Sequence, residues 1–276
     1  MAANSLPRRM VKRLLAPVLS DTTYSVLQAA AMGWDIRRGA WTEPELDLIP
    51  HAVRSGETAI DIGANFGLYS YHLSRAVGAS GKVYSFEPIP FTAATFRLIA
   101  RALRFRNVEL RAKGCGERAG EVTFTVPVMD TGAISAGLVH MGRNDDRAGK
   151  ETHARFGKTK PVVCPVVAID EELAHVENVS LIKCDIEGAD LYAMRGARKT
   201  LEKHKPTVII EINPWFLEGF GLKVDDVVGF FAELGYACYR YADGKLREVA
   251  TTDIVEDNWI FVHPERKKRL LSLLSD

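Results

Sequence analysis

Residues 58–70 read Thr-Ala-Ile-Asp-Ile-Gly-Ala-Asn-Phe-Gly-Leu-Tyr-Ser, a short apolar strand that runs into a glycine-bearing turn and then a helix. No other stretch of the chain narrows the fold as far. Gly63 and Gly67 lack a Cβ, so the backbone can turn sharply there and a ligand can lie against it. The first N–H groups of the following helix point at that ligand. Asp61 ends the strand, where open α/β sheets place their ligands.

Past residue 57 the pattern alternates between short strands and amphipathic helices, which argues for a mostly parallel sheet covered on both faces. Strands are predicted at 58–62, 83–86, 108–111, 181–184, 207–212, 236–241 and 259–262, and helices at 68–76, 91–103, 189–204 and 224–234. The alternation is interrupted after the third strand. Residues 120–126 have strand periodicity, 127–160 are rich in Gly, Asp, Arg and Lys, and 162–169 read as extended again. Long segments without regular structure are usually functional or disordered, so 127–160 is read as a lid or substrate-binding segment. The expected architecture is an α/β, Rossmann-like, doubly wound sheet over residues 56–276, with an inserted β/loop segment at about 120–169 and a helical extension over residues 1–55.

Glycine spacing bears on the cofactor. The dinucleotide fingerprint G-x-G-x-x-G grips a pyrophosphate through backbone N–H groups, whereas Gly63-Ala64-Asn65-Phe66-Gly67 has no third glycine at that spacing and follows an acidic residue. A ligand with positive charge and no phosphate fits better. Residues 82–88 form a second strand ending in Glu87, at about the separation at which a carboxylate meets a ribose diol. Two carboxylates beside a cationic ligand point to S-adenosylmethionine.

A second acidic block lies at 182–190, Ile-Lys-Cys-Asp-Ile-Glu-Gly-Ala-Asp, where Asp185 ends a strand and Glu187 follows just before a helix. A doubly wound sheet places this strand beside the first, so Asp185 faces the same crevice as Asp61. A positioned carboxylate that takes the proton of an attacking alcohol is worth about 10²–10⁴-fold, and Asp185 is the first candidate for that base. Asp185, Glu187 and Glu211 are alternatively candidates to hold Mg²⁺ through carboxylates and waters. Glu187 and Asp190 also suit a helix N-terminus through its dipole.

A net charge of +1 over 276 residues gives no basic excess, so nucleic acid is not an expected partner. Cys115, Cys164, Cys184 and Cys238 show no C-x-x-C spacing, which indicates neither a zinc site nor a disulfide framework and makes a reducing cytoplasm the expected location. No apolar run reaches the roughly 18 residues of a membrane span. Arg8, Arg9, Lys12 and Arg13 precede a short apolar stretch interrupted by Pro17, unlike the about 7–15 uninterrupted residues of a signal peptide. Peripheral contact with an anionic membrane and a terminal helix packed on its own domain are both open readings of this segment. Residues 24–34 suit a short helix near the cofactor pocket. His140 and His153, in the insertion, are candidates to assist catalysis, while His51, His72 and His204 read as structural.

The ordered combination of DIGANFG at 61–67, FEP at 86–88, KCDIEGAD at 183–190, MRGA at 194–197 and PTVIIEI at 206–212 resembles the FkbM family of methyltransferases over roughly residues 56–262. The resemblance implies a class I methyltransferase fold and S-adenosylmethionine as cofactor. It further implies that Asp61, Gly63, Ala64, Asn65 and Gly67 line the methionine and ribose end, and that Glu87 with Pro88 holds the ribose hydroxyls. Gly114 and Cys115 would meet the adenine. Asp185, bordering the cofactor, and Glu187 match the family's acidic block. The activity implied is O-methylation of a hydroxyl on a small molecule, a sugar, glycolipid or polyketide-like natural product. Two other classes stay open: a nucleotide-binding oxidoreductase or epimerase, against which the missing third glycine counts, and a non-catalytic cofactor-binding scaffold, which the Asp185 and Glu187 block disfavours.

Overall fold

A computed structural model describes residues 21–128, 140–141, 158–249, 254–255 and 257–274. In chain order the strands are β1 (Thr58–Ile62), β2 (Lys82–Phe86), β3 (Val108–Arg111), β4 (Gly114–Cys115), β5 (Gly120–Val128) and β6 (His140–Met141). They continue as β7 (Lys158–Val167), β8 (Val179–Cys184), β9 (Thr207–Ile212), β10 (Ala237–Ala242), β11 (Lys245–Glu248) and β12 (Asp257–Val262). The helices are α1 (Asp21–Arg38), α2 (Ile49–Ala52), α3 (Leu68–Val77), α4 (Pro90–Leu103) and α5 (Ile169–Glu172), then α6 (Asp190–Arg195), α7 (Arg198–His204), α8 (Pro214–Gly219), α9 (Val224–Glu233) and α10 (Pro264–Lys267). A 3₁₀ turn spans Pro44–Leu48.

The main sheet has the order β11-β10-β12-β9-β8-β1-β2-β3. From β1 the chain steps outward through β2 and β3, then returns to the other side of β1 with β8 and β9, all parallel. The order therefore reverses between β1 and β8, and open α/β sheets bind ligands at the carboxyl ends of strands at such a point. Every residue of β1 and β8 is buried, as expected of central parallel strands covered on both sides.

Period-two alternation divides the strand residues between two apolar layers. Ile60, Ile182, Ile210 and Trp259 pack with Leu191, Leu201 and Phe231 on one face. Ala59, Leu181, Ile209 and Ile260 pack on the other with Leu73, Phe96, Met32, Ile36 and Leu48. The N-terminal helices thus share the second core. Helix α1 runs beyond both ends of the expected 24–34, and its Tyr24 stacks on Phe91 of α4 at 6.1 Å. The basic segment at 8–13 lies outside the described residues.

The expected single helix over 189–204 is two. The Gly196 carbonyl leaves the helical ladder to accept the Asp170 N–H at 2.9 Å. A Cβ on Gly196 would stand 2.0 Å from the Gly116 carbonyl oxygen. Asp170 then accepts the Lys199 and Thr200 N–H groups, starting α7. Ile169, predicted as extended, instead begins the helical turn α5.

The insertion forms a second sheet of order β4-β7-β5-β6, in which β5 and β7 pair antiparallel from Gly120 opposite Val166 to Val128 opposite Lys158. Its Phe124, Val126 and Cys164 pack against Ile89, in the loop after β2, which seats this sheet at the carboxyl ends of the main one. Most of the predicted 127–160 loop, His153 included, lies outside the described residues, as does the His140 side chain. The four cysteines are free and buried. Among the described residues no helix is long and apolar enough to cross a membrane.

Candidate active site

Two backbone turns meet at the strand-order reversal. After β1, the Gly63 and Ala64 N–H groups both donate to the Phe86 carbonyl, at 3.0 and 2.9 Å, which ties the turn to the end of β2. Gly63 has φ 78°, and a Cβ there would lie 1.9 Å from the Asp185 carbonyl oxygen, so the turns after β1 and β8 sit back to back. Gly67, at φ 89°, begins α3 with no room beside Phe96 and Phe105. Glu87 holds the neighbouring loops together: it accepts the Asn65 N–H at 3.1 Å and the Ile89 N–H at 3.0 Å. Asn65 adopts φ 48°, and its buried Oδ1 has no hydrogen-bond partner.

Asp61 is 1% exposed and accepts the Ser70 hydroxyl at 2.5 Å, with Ser85 2.7 Å from Ser70. Burial pushes the Asp61 carboxyl up to about 6, with the Asp185 charge in the same direction and Ser70 and Lys183 opposing. Burial pushes Glu87 up to about 7 despite its two N–H donors. In both groups burial outweighs the hydrogen bonds and charges that favour the ionised form.

Lys183 lies directly opposite Asp61 in the β1–β8 register, and its ammonium stands 3.6 Å from Asp185 and 2.8 Å from Asn258 Oδ1. It also lies 5.0 Å over the Tyr69 ring. Burial lowers its pKa, but the charges of Asp185, Glu43, Asp190 and Glu211 outweigh that and hold it above its ordinary value, as a cation. Since Lys183 pairs with Ile209, Glu211 two residues on is level with Asp185 and on the same face. Burial first, then the charges of Asp185, Glu187 and Asp190, raise the Glu211 carboxyl to about 9, and its Oε2 is buried without a hydrogen-bond partner. Asp190 accepts the Ile186 and Gly188 N–H groups at 3.1 and 3.0 Å and so fixes the turn that carries Glu187.

A cleft, open at its mouth, lies between Asp61, Glu87, Lys183 and Asp185. Of the residues singled out from sequence, Asp61, Gly63, Ala64, Asn65, Glu87, Pro88, Asp185 and Glu187 line it. Gly67 supports the turn from behind. Gly114 and Cys115, expected at the adenine, are absent from the lining: both are buried in β4, where Gly114 meets Val166 and Cys115 joins the main core. Glu211 stands outside the lining, and among the described residues no three His, Cys, Asp or Glu side chains converge so as to hold a metal ion, so the Asp185, Glu187 and Glu211 set does not fit Mg²⁺. The aromatic residues of α8 stay outside as well, with Phe216 packed on Gly188.

Sequence reasoning assigned no role to Lys183, Trp41, Glu43, Tyr69 or Phe124, all of which line the cleft. The signal for Lys183 was a charge inside an otherwise apolar strand, since a fully buried lysine needs a partner. Trp41, Glu43 and Phe124 reach the cleft from segments distant in sequence and carry no local signature.

The chain is similar to methyltransferase sdnD of Sordaria araneosa, 25% identical over 171 residues, 55% of this chain and 64% of that protein. It is also similar to methyltransferase 1 of Beauveria bassiana (strain ARSEF 2860), 25% identical over 145 residues, 50% of this chain and 57% of the relative. It thus spans about three fifths of the length of these curated relatives. The crystal structure of methyltransferase FkbM from Methylobacillus flagellatus KT shares 17% identity at a TM-score of 0.47, covering 91% of this chain and 57% of that one. Residues 61–238 match the profile described as the methyltransferase FkbM domain. That match runs from Asp61 in β1 to Cys238 in β10, well over half the sequence, and the chain belongs to the FkbM methyltransferase family.

Proposed function

We propose that the protein is an S-adenosylmethionine-dependent O-methyltransferase acting on a hydroxyl of a small molecule of the sugar, glycolipid or polyketide-like kind. The observation that carries this reading is the placement of Asp61, Glu87 and Asp185 around one cleft at the strand-order reversal, with Asp61 and Glu87 buried. These residues fit the cofactor. Glu87 keeps unused lone pairs toward the cleft for a ribose diol, and the buried, unpartnered Asn65 Oδ1 offers an acceptor in the same turn. When bound, S-adenosylmethionine supplies a methyl group on a cationic sulfur, a good leaving group.

The chain must then align the acceptor and remove its proton. Asp185, with its side chain 41% exposed at the cleft, accepts the hydroxyl proton as the oxygen–methyl bond forms and the sulfur–methyl bond breaks. Lys183, 3.6 Å away, orients the Asp185 carboxylate and balances its charge. Phe124 and Trp41 supply apolar walls from the second sheet and the N-terminal segment, so acceptor choice is assigned to elements outside the core sheet.

The test is Asp185→Asn, which keeps shape and removes the base. Calorimetry is expected to show cofactor affinity within a few fold of wild type, while methyl transfer to an acceptor found by screening hydroxylated sugars and polyketides falls by about 10²–10⁴-fold. Product spectra should place the methyl on oxygen. Undiminished transfer by Asp185→Asn, or methylation at carbon or nitrogen, overturns the reading.

A further inference from the structure

Helix α1 has two apolar faces, and among the described residues only one is packed in the core. Ala29, Met32 and Ile36 recur at i, i+3, i+7 and are buried in the core beneath it. On the opposite side Leu27, Ala30 and Trp34, again at i, i+3, i+7, face solvent, with Leu27 46% and Trp34 57% exposed, and Val26 beside them 50% exposed. A helix apolar on both faces is ordinarily buried on both. Large solvent-facing apolar side chains gathered on one stripe mark an interaction surface.

The charges around this stripe say what the partner is. Exposed Arg37 and Arg38 end the helix, with the Arg38 guanidinium 4.9 Å over the Trp34 ring. The helix against which α1 packs, α4, exposes Leu98 together with Arg97 and Arg101, and Arg104 and Arg106 follow, also exposed. Residues 88–107 contain these arginines and no Asp or Glu, in a chain whose net charge is only +1. Upstream, the sequence adds Arg8, Arg9, Lys12 and Arg13. Tryptophan and aliphatic side chains flanked by arginine are the composition of a helix that lies in the plane of an anionic bilayer.

We infer that the outer face of α1, with the adjoining arginines of α4, is a docking surface for an anionic lipid bilayer. Trp41 and Glu43, just past the end of α1, line the cleft, so this surface adjoins one wall of the site in sequence. The inference stands on the helix surface and does not depend on the reaction assigned above.

The experiment is co-sedimentation of the full chain with vesicles of phosphatidylcholine alone or mixed with phosphatidylglycerol, comparing wild type with Leu27→Ser/Trp34→Ser and with Arg97→Gln/Arg101→Gln. Wild type is expected to bind the phosphatidylglycerol vesicles, to ignore the neutral ones, and to release as salt rises. The apolar pair should weaken binding by about tenfold or more, the worth of returning one large apolar side chain to water. Each arginine removed should cost about fivefold. Unchanged melting temperature and cofactor affinity in both variants show that only the surface was altered. No preference for anionic vesicles overturns the inference, as does binding that survives in Leu27→Ser/Trp34→Ser. A lipid-free dimer that this variant converts to monomer also overturns it, because the stripe is then an interface between copies.

Discussion

Gly63 shows how one residue governs both turns of the site. Its φ of 78° and the 1.9 Å approach of a would-be Cβ to the Asp185 carbonyl leave no alternative to glycine. Gly63→Ala must push the β1 and β8 turns apart. The conformational penalty alone is about 1–2 kcal/mol, so urea unfolding should show at least that loss, and calorimetry a larger loss of cofactor binding. Retention of both would mean the turns are not in contact. The raised carboxyls set a pH dependence. Asp61 and Glu87 titrate from ordinary values of 3.8 and 4.5 up to about 6 and about 7 because they are buried. Between the unfolded and folded values the native state holds more protons, so the stability of the free protein falls as pH rises through about 4 to 7, by on the order of 2–3 kcal/mol per group. A bound cation favours the ionised forms. S-adenosylmethionine should therefore raise the melting temperature more at pH 8 than at pH 5, and an equal rise at both would show that these carboxylates do not meet it.

At the scale of elements, the segments that leave the repeating βα pattern add to both the core and the cleft walls. Helix α1 is part of the core through Ile36, 1% exposed, so Ile36→Ala should cost about 2–5 kcal/mol in urea unfolding, whereas a dispensable extension would lose nothing. Phe124 brings the inserted sheet to the cleft, and Phe124→Ala should raise KM for the acceptor and also cost about 3–5 kcal/mol in urea unfolding, because its ring is buried against Ile89, Val126 and Cys164 as well as lining the cleft. The repeating part was legible in the sequence: β1, β3 and β9 fall on the predicted residues, since each is a short run with apolar residues that adjoins a Gly, Pro or Asn at one end or both. The departures come from contacts that are remote in sequence. The break at Gly196 depends on Asp170 and Gly116, and the displacement of Gly114 and Cys115 from the cleft depends on pairing with β7, more than forty residues on. In the site, the strand-end acids and the glycine turn were legible because backbone geometry alone locates them. Lys183, Trp41 and Phe124 were not, because tertiary packing brings them there.

For the whole molecule, one mostly parallel sheet with antiparallel strands at one edge is covered on one face by α6, α7 and α9 and on the other by α3, α4 and the N-terminal segment. The cleft opens where the strand order reverses, with walls supplied by the N-terminal segment and the inserted sheet. The proposed function assigns the cofactor to the sheet and acceptor choice to its additions. The claim on which the rest depends is that the buried acids Asp61 and Glu87 hold S-adenosylmethionine. Isothermal titration of the purified chain with S-adenosylmethionine, with NAD as the comparison and Glu87→Ala as the variant, tests it most directly. The account expects saturable S-adenosylmethionine binding, no measurable NAD binding, and a loss in Glu87→Ala of about 1.5–3 kcal/mol, the worth of hydrogen bonds to a charged group. Tight NAD binding with no response to S-adenosylmethionine, or full affinity in Glu87→Ala, would contradict it.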